Sequence, residues 1–215
     1  MPKIISFISR KGGTGKTTNA INLATALHES GKKVLLVETD TNYTLNTLRK
    51  MEHLRGEATG KSSFEILGSQ DHQVADELIQ IKKNTTLDFI IVDSAGKTTD
   101  EGIKKLCLVS DAVVVPTSLT QNDLLVTYQT VTDLAPALGL NPALKILVLP
   151  NRIHSFTSMK TIHESLSNLP TGQAGVKAII LDVRVPQKNL YVNFSTISAE
   201  QEYQPVVNEI LKHLR

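Results

Sequence analysis

The chain has 215 residues, 40% hydrophobic and 20% charged, which is enough apolar surface for a packed core and too much for a disordered chain. Its 23 basic and 21 acidic side chains leave a net charge of +2, which permits an anionic partner without requiring one. A single cysteine, Cys107, excludes an internal disulfide framework and any multi-cysteine metal site within one chain, and fits a reducing, cytoplasmic setting.

In chain order, apolar β-type runs alternate with helical patterns. The strand candidates are Lys3–Ser9, Lys33–Glu38, Leu87–Asp93, Ala112–Pro116, Lys145–Leu149 and Val176–Ile180. Most are continuous apolar runs, as parallel strands covered on both faces require. Helical patterns lie between them at Lys16–Ser30, Asp71–Lys83, Asp100–Val109, Asn122–Leu138 and Ser158–Asn168. The last segment, Glu200–Leu214, sets Val206, Val207, Ile210, Leu211 and Leu214 on one helical face. This rhythm predicts one α/β domain over residues 1–215, a doubly wound and mostly parallel sheet flanked by helices. The polar stretch Asn42–Ser63 is the least periodic and reads as a surface loop with a short helix, or as a mobile segment beside a ligand. The apolar runs are too short to span a bilayer, and the first ten residues form a strand pattern rather than a secretory leader.

The strongest chemical signal is Ser9-Arg10-Lys11-Gly12-Gly13-Thr14-Gly15-Lys16-Thr17-Thr18, which follows a strand and opens a helix. That is the setting of a phosphate-binding loop. Glycines let backbone N–H groups converge on phosphate oxygens, and the helix starting at Lys16 directs its positive end toward them. Gly12, Gly13, Thr14 and Gly15 are the cradle candidates; Lys16 reaches the β- and γ-phosphates, Thr17 is a Mg²⁺ ligand and Thr18 approaches the α-phosphate. The loop departs from the common Gly-x-x-x-x-Gly-Lys-Thr pattern, because Arg10 stands at the first glycine position and a second lysine, Lys11, precedes two glycines. A dinucleotide fingerprint fits poorly, since Thr18 stands where it would need a third small residue.

This loop resembles the deviant Walker A motif of the ParA/MinD ATPases, a P-loop NTPase group. Asn19–Ala24 and Gly31–Val37 extend the likeness, followed in order by Asp40, Asp93-Ser94-Ala95-Gly96, Ser110–Pro116 and Asp123. The resemblance spans essentially the whole chain. The short length, and the absence of a segment ahead of the first strand, are similar to small plasmid-partition (ParF-like) members.

The resemblance implies ATP and Mg²⁺ as cofactors, and a catalytic set of Lys11, Lys16 and Asp40. Lys11 would act in trans, reaching the partner's phosphates across a nucleotide-sandwich homodimer. Asp40 would orient the attacking water and belong to the metal set with Thr17 and Asp93, the last as a Walker B carboxylate. The first aspartate of the family's Asp-x-Asp pattern is Glu38 here, whose longer side chain keeps reach to a magnesium-bound water; Thr41-Asn42 replaces the Pro-Gln of many relatives. Gly96 gives the following loop room to act as a second switch. Asn151 and Arg152 occupy the place of adenine contacts, and Pro186-Gln187 would close over the base or ribose.

By the same resemblance the ATP dimer would bind double-stranded DNA nonspecifically, sit on the nucleoid, and be released when a ParB-like centromere-binding adaptor stimulates an otherwise slow hydrolysis. Lys160, Lys177, Arg184, Lys188, Lys212 and Arg215 are candidates for a basic surface spanning the dimer. Two other readings use the same fold. A MinD-like membrane or protein-positioning switch would need a basic amphipathic C-terminal helix, but here the final amphipathic segment is also required as the last packing helix, so no membrane partner is expected. An ATP-dependent small-molecule enzyme would need a second-substrate motif, and Lys11 argues against it. The six histidines show no metal-ligand spacing, and Cys107 lies in an apolar helical pattern that reads as core.

Overall fold

The computed structural model describes residues 1–40, 44–57, 63–70, 72–83, 85–96, 100–167, 169, 178–191 and 195–214. Thr41, Asn42, Asp71, Asn168, Val176, Lys177 and Arg215, which figure in the sequence reading, lie outside these residues.

Eight strands are present among them: β1 (Lys3–Phe7), β2 (Val34–Glu38), β3 (Glu65–Gly68), β4 (Phe89–Asp93), β5 (Ala112–Thr117), β6 (Lys145–Ile153), β7 (Ala178–Ile180) and β8 (Val185–Pro186). The helices are α1 (Lys16–Glu29), α2 (Thr44–Leu54), α3 (Val74–Lys83), α4 (Asp100–Val109), α5 (Gln121–Leu140), α6 (Met159–Leu166) and α7 (Gln204–Lys212). The strand order is β3-β2-β4-β1-β5-β6-β7, with β8 pairing β6, and every pairing is parallel. The order reverses direction around β1, so the crevice beyond its C-terminal end is where such a sheet takes ligands.

Alternation along each strand divides the core between the two sheet faces. Ile4 and Ile8 join one cluster with Ile90, Val92, Val113, Val115, Leu106 and Val131. Ile5 and Phe7 join the other with Ile91, Val114, Leu23, Leu27, Val206 and Ile210. These side chains are almost wholly buried, and each aliphatic one stabilises the fold by about 1.5–3 kcal/mol. The buried face of α7 shows that the last amphipathic segment packs on the sheet, as its pattern required. Cys107 is buried and its thiol is pushed up to about 12 by desolvation.

Charge alternates along the N-terminal edge of the sheet. Lys33, Asp88 and Asp111 immediately precede β2, β4 and β5, and Lys3 and Lys145 open β1 and β6, so that the five follow one another across the sheet as Lys33, Asp88, Lys3, Asp111 and Lys145. Lys33 N–H donates to Asp88 Oδ2 at 2.8 Å, and Lys3 Nζ lies 3.1 Å from Asp111 Oδ1.

The sequence reading missed two strands. β3 has four residues at the sheet edge, and β8 only two, so neither gives a readable period. Two elements are longer than expected. β6 runs on through Pro150 to Ile153, because β5 pairs it as far as Pro150 and β8 pairs Asn151 and Ile153. Part of the polar stretch after β2 forms the three-turn helix α2, which buries only Leu45 and Glu52 and so lacks a broad apolar face. Among the described residues, no helix is long and apolar enough to cross a membrane.

Candidate functional site

The loop between β1 and α1 occupies the crevice beyond β1. Gly13 and Gly15 have φ of 74° and 98°, a conformation that a side chain would strain. Gly15 is also the residue that caps α1, and a Cβ there would lie 2.2 Å from Asn151 Nδ2. Asn19 Nδ2 donates to Gly15 O at 2.7 Å, and Asn151 Nδ2 donates to Thr14 O at 2.7 Å, so the loop is braced from both sides.

Lys16, although 95% buried, keeps its ammonium among carboxylates. Desolvation lowers its pKa, against the attraction of Asp93 and Asp40. Its Nζ is 3.4 Å from Lys11 O, and Gly96 lies over it: a Cβ on Gly96 would approach Gly12 Cα at 3.2 Å. The loop after β4 therefore touches the phosphate loop through two glycines.

Asp93 ends β4 and pairs in register with Glu38 at the end of β2. Burial raises its carboxyl to about 7, against a hydrogen bond from Thr17 and the charge of Lys16. Asp40 is close enough for its charge to act on Lys16, Glu38 and Asp93. Thr17, Asp40 and Asp93, the residues named for the metal, thus lie close together beside Lys16. Asp93 Oδ1, Glu38 Oε2 and Thr14 Oγ1 are buried without a hydrogen-bond partner in the protein. Unpartnered buried acceptors beside a lysine and a threonine hydroxyl are the donor set of a hydrated divalent cation with phosphate.

Glu38 divides its two oxygens. Its Oε1 accepts from Leu45 N–H at 3.0 Å at the start of α2 and so caps a helix, while its Oε2 stays unpartnered on the side of Asp93. Burial raises its pKa, against the hydrogen bonds from that helix end.

Lys11 Nζ pairs with Asp123 Oδ1 at 2.5 Å, at the start of α5 in the same chain. Arg10 forms an ion pair with Asp133 farther along α5, and its N–H approaches Thr130 Oγ1. The two residues that depart from the common loop pattern both engage α5.

Beside the loop is a cavity of about 460 Å³ lined by Gly15, Thr18, Asn151, Arg152, Gln187 and Tyr191, among others. The expected base residues Asn151, Arg152 and Gln187 meet there. Asn151 donates one Nδ2 hydrogen to Thr14 O, which leaves its Oδ1 and its second amide hydrogen for a base. Arg152 is the described non-glycine residue with positive φ, at 55°, strained backbone of the kind found at binding sites. Sequence reasoning missed Lys188, Asn189 and Tyr191 in this wall, which follow Pro186-Gln187 within five residues.

The described members of the candidate basic surface each have partners within the chain. Lys188 pairs with Glu202, Lys212 with Glu209 and Lys160 with Glu164, while Arg184 donates to the carbonyls of Ser155 and Thr157.

A family model described as "VirC1 protein" matches residues 2–178. Protein virC1 of Rhizobium rhizogenes is 28% identical over 178 residues, covering 80% of this chain and 75% of its own. The maintenance of carboxysome distribution protein A of Gloeobacter kilaueensis is 24% identical, covering 97% of this chain and 94% of its own. A solved plasmid partition protein of Borrelia burgdorferi, bound to AMPPNP, superposes with a TM-score of 0.66 at 21% identity, covering 99% of this chain and 98% of its own. At that identity the superposition establishes the fold.

Proposed function

Because the chain belongs to the VirC1 family, homologous to ParA-, Soj- and MinD-type partition ATPases, we propose that it is an ATP-driven dimerising switch that positions DNA. The observation that carries this reading is the convergence of Lys16, Thr17, Asp40 and Asp93 on a glycine loop whose neighbouring carboxylate oxygens have no protein partner.

Thr17 and, through water, Asp93 would hold Mg²⁺, which supplies charge neutralisation at the phosphates when bound. The N–H groups of Gly12–Gly15 and the ammonium of Lys16 bind and orient the triphosphate. Asp40 accepts a hydrogen bond from the attacking water and sets its line of approach. Asn151 Oδ1 accepts from the exocyclic amine of adenine, and Arg152 with Gln187 completes the nucleoside wall. Lys11, released from Asp123, would reach the neighbour's phosphates in a homodimer. Its cationic charge answers the charge that accumulates on a transferring phosphoryl group.

The dimer's proposed ligand is double-stranded DNA bound without sequence preference, and a ParB-like adaptor would release it by stimulating hydrolysis. The ion pairs at Lys160, Lys188 and Lys212 move the weight of DNA contact to other basic residues or to a surface completed by the second subunit. A test is DNA binding at two salt concentrations with ADP, ATP and AMPPNP. The reading expects triphosphate-dependent binding that weakens as salt rises. Binding indifferent to nucleotide would overturn it.

A further inference from the structure

Away from the phosphates, α2 and the segment entering α7 build a second buried charged cluster. Glu52 is 3% exposed; its Oε1 accepts from Ser195 Oγ at 2.7 Å and from Thr196 N–H at 3.0 Å, and its Oε2 accepts from the Thr196 hydroxyl. Arg49, one turn earlier on the same face, donates Nη2–H to Thr196 O at 2.7 Å and Nη1–H to Phe64 O at 2.8 Å. Its guanidinium carbon lies 4.8 Å from the centre of the Phe64 ring. Thr196, fully buried, is thus held on its N–H, carbonyl and hydroxyl by one helix. Glu52 is buried and Arg49 half-buried, and a buried carboxylate deprived of its hydrogen-bond donors is costly, which makes the geometry of this contact specific.

The cluster joins two parts of the candidate site. Toward the nucleoside cavity, Ala199 N–H donates to Glu29 Oε1 at 3.1 Å and Glu200 N–H to Asn22 Oδ1 at 3.2 Å, both on α1. Tyr203 donates its hydroxyl to Asn19, which itself braces Gly15, and its ring meets that of the cavity residue Tyr191. Toward the phosphates, Glu38 holds the first turn of α2. Asp40 lies in the stretch closed by that bond. α2 is therefore fastened at both ends, by Glu38 to the strand preceding Asp40 and by Arg49 and Glu52 to the segment bonded to α1 and the nucleoside wall.

We infer that Arg49 and Glu52 are positioning residues for ATP hydrolysis: through Thr196 and α2 they couple occupation of the nucleoside cavity to the placement of Asp40. The inference rests on the ATPase reading of the site. The cluster touches no phosphate- or metal-binding side chain, so its loss acts on the placement of the switch rather than on contacts to the nucleotide.

The test compares the full-length wild type with Glu52→Gln and the nearly isosteric Thr196→Val, using hydrogen exchange with and without AMPPNP and Mg²⁺, and steady-state ATPase kinetics. In the wild type, nucleotide slows exchange both in the phosphate loop and across residues 39–54. In either variant the phosphate loop stays protected, protection across 39–54 is lost, and kcat falls at least fivefold with KM within twofold. Folded variants that keep protection across 39–54, or that lose kcat and KM only in step with thermal stability, overturn the coupling. If the wild-type phosphate loop is protected but 39–54 is not, the coupling alone falls. A wild type with no protection in either segment removes the ATPase reading, and the coupling with it.

Discussion

Lys11 Nζ and Asp123 Oδ1 lie 2.5 Å apart within one chain, so the lysine assigned to a neighbour's phosphates is first held by its own subunit. Burial alone would raise the Asp123 carboxyl, but hydrogen bonds from Lys11 and Ser118 hold it below its ordinary value. The pair therefore persists at neutral pH and is lost only in acid. In the proposed dimer, Lys11 must leave Asp123 to reach the neighbour's phosphates. Replacing Asp123 with Asn removes that competition, and a partly exposed pair is worth about 1 kcal/mol. Each subunit of the dimer would release one such pair, so sedimentation of Asp123→Asn should show the ATP-dependent dimer half-formed at roughly 30-fold lower concentration. Lys11→Ala should give no ATP-dependent dimer.

Lys16→Ala should abolish productive ATP binding. The ammonium is buried with Asp93 and Asp40 around it, so its removal leaves two carboxylates facing the triphosphate without an answering charge. Isothermal titration should show a loss of at least about 100-fold in affinity, since an unpaired buried charge costs about 3–5 kcal/mol. The fold should survive, as Lys16 contributes to neither apolar cluster.

Asp93 makes the stability of the nucleotide-free chain depend on pH. Its carboxyl holds a proton up to about 7 in the fold, against an ordinary value of 3.8. The folded state binds more protons than the unfolded state across that window, so stability falls as pH rises from about 4 to 7. The whole drop from this group is on the order of 4 kcal/mol. Urea unfolding of the free chain at pH 5 and pH 7.5 should show a larger fall for wild type than for Asp93→Asn. Mg²⁺ with AMPPNP should shrink the wild-type difference.

The two glycine contacts separate the brace of the phosphate loop from its cover. A methyl group on Gly15 meets Asn151 Nδ2 at 2.2 Å and must adopt a strained φ of 98°. One on Gly96 meets the backbone of Gly12 at 3.2 Å without that strain. Gly15→Ala should therefore lower both thermal stability, by about 1–3 kcal/mol, and ATP affinity. Gly96→Ala should leave stability within about 0.5 kcal/mol and act mainly on kcat. Thermal melts and steady-state kinetics on the two variants distinguish these outcomes.

Much of this arrangement was legible before the coordinates. The continuous apolar runs at β1, β2, β4 and β5 identified the parallel core, because strands buried on both faces carry no polar alternation to confuse the reading. The phosphate loop was legible because its glycines, lysine and threonine must be contiguous. Tyr191 was not, since it enters the cavity wall from a distant segment with no period of its own, and Tyr203, at the head of the last helical pattern, meets Asn19 only in the fold. Nor was the second task of Glu38, whose Oε1 accepts from the first turn of α2. Lys188 looked like a free cation in sequence, and only the fold brings Glu202 beside it, whereas Glu209 stands three residues before Lys212 on one helix and was legible.

The row of opposite signs from Lys33 to Lys145 gives the underside of the sheet little field of its own. A polyanion approaching from below meets three lysines and two aspartates, so attraction and repulsion largely offset each other and salt screens both. Any salt sensitivity measured for DNA association would thus report the upper rim and flanks of the subunit. Reversing a single member, such as Lys3→Glu, would place three carboxylates in sequence along that edge and open the underside to cationic surfaces instead.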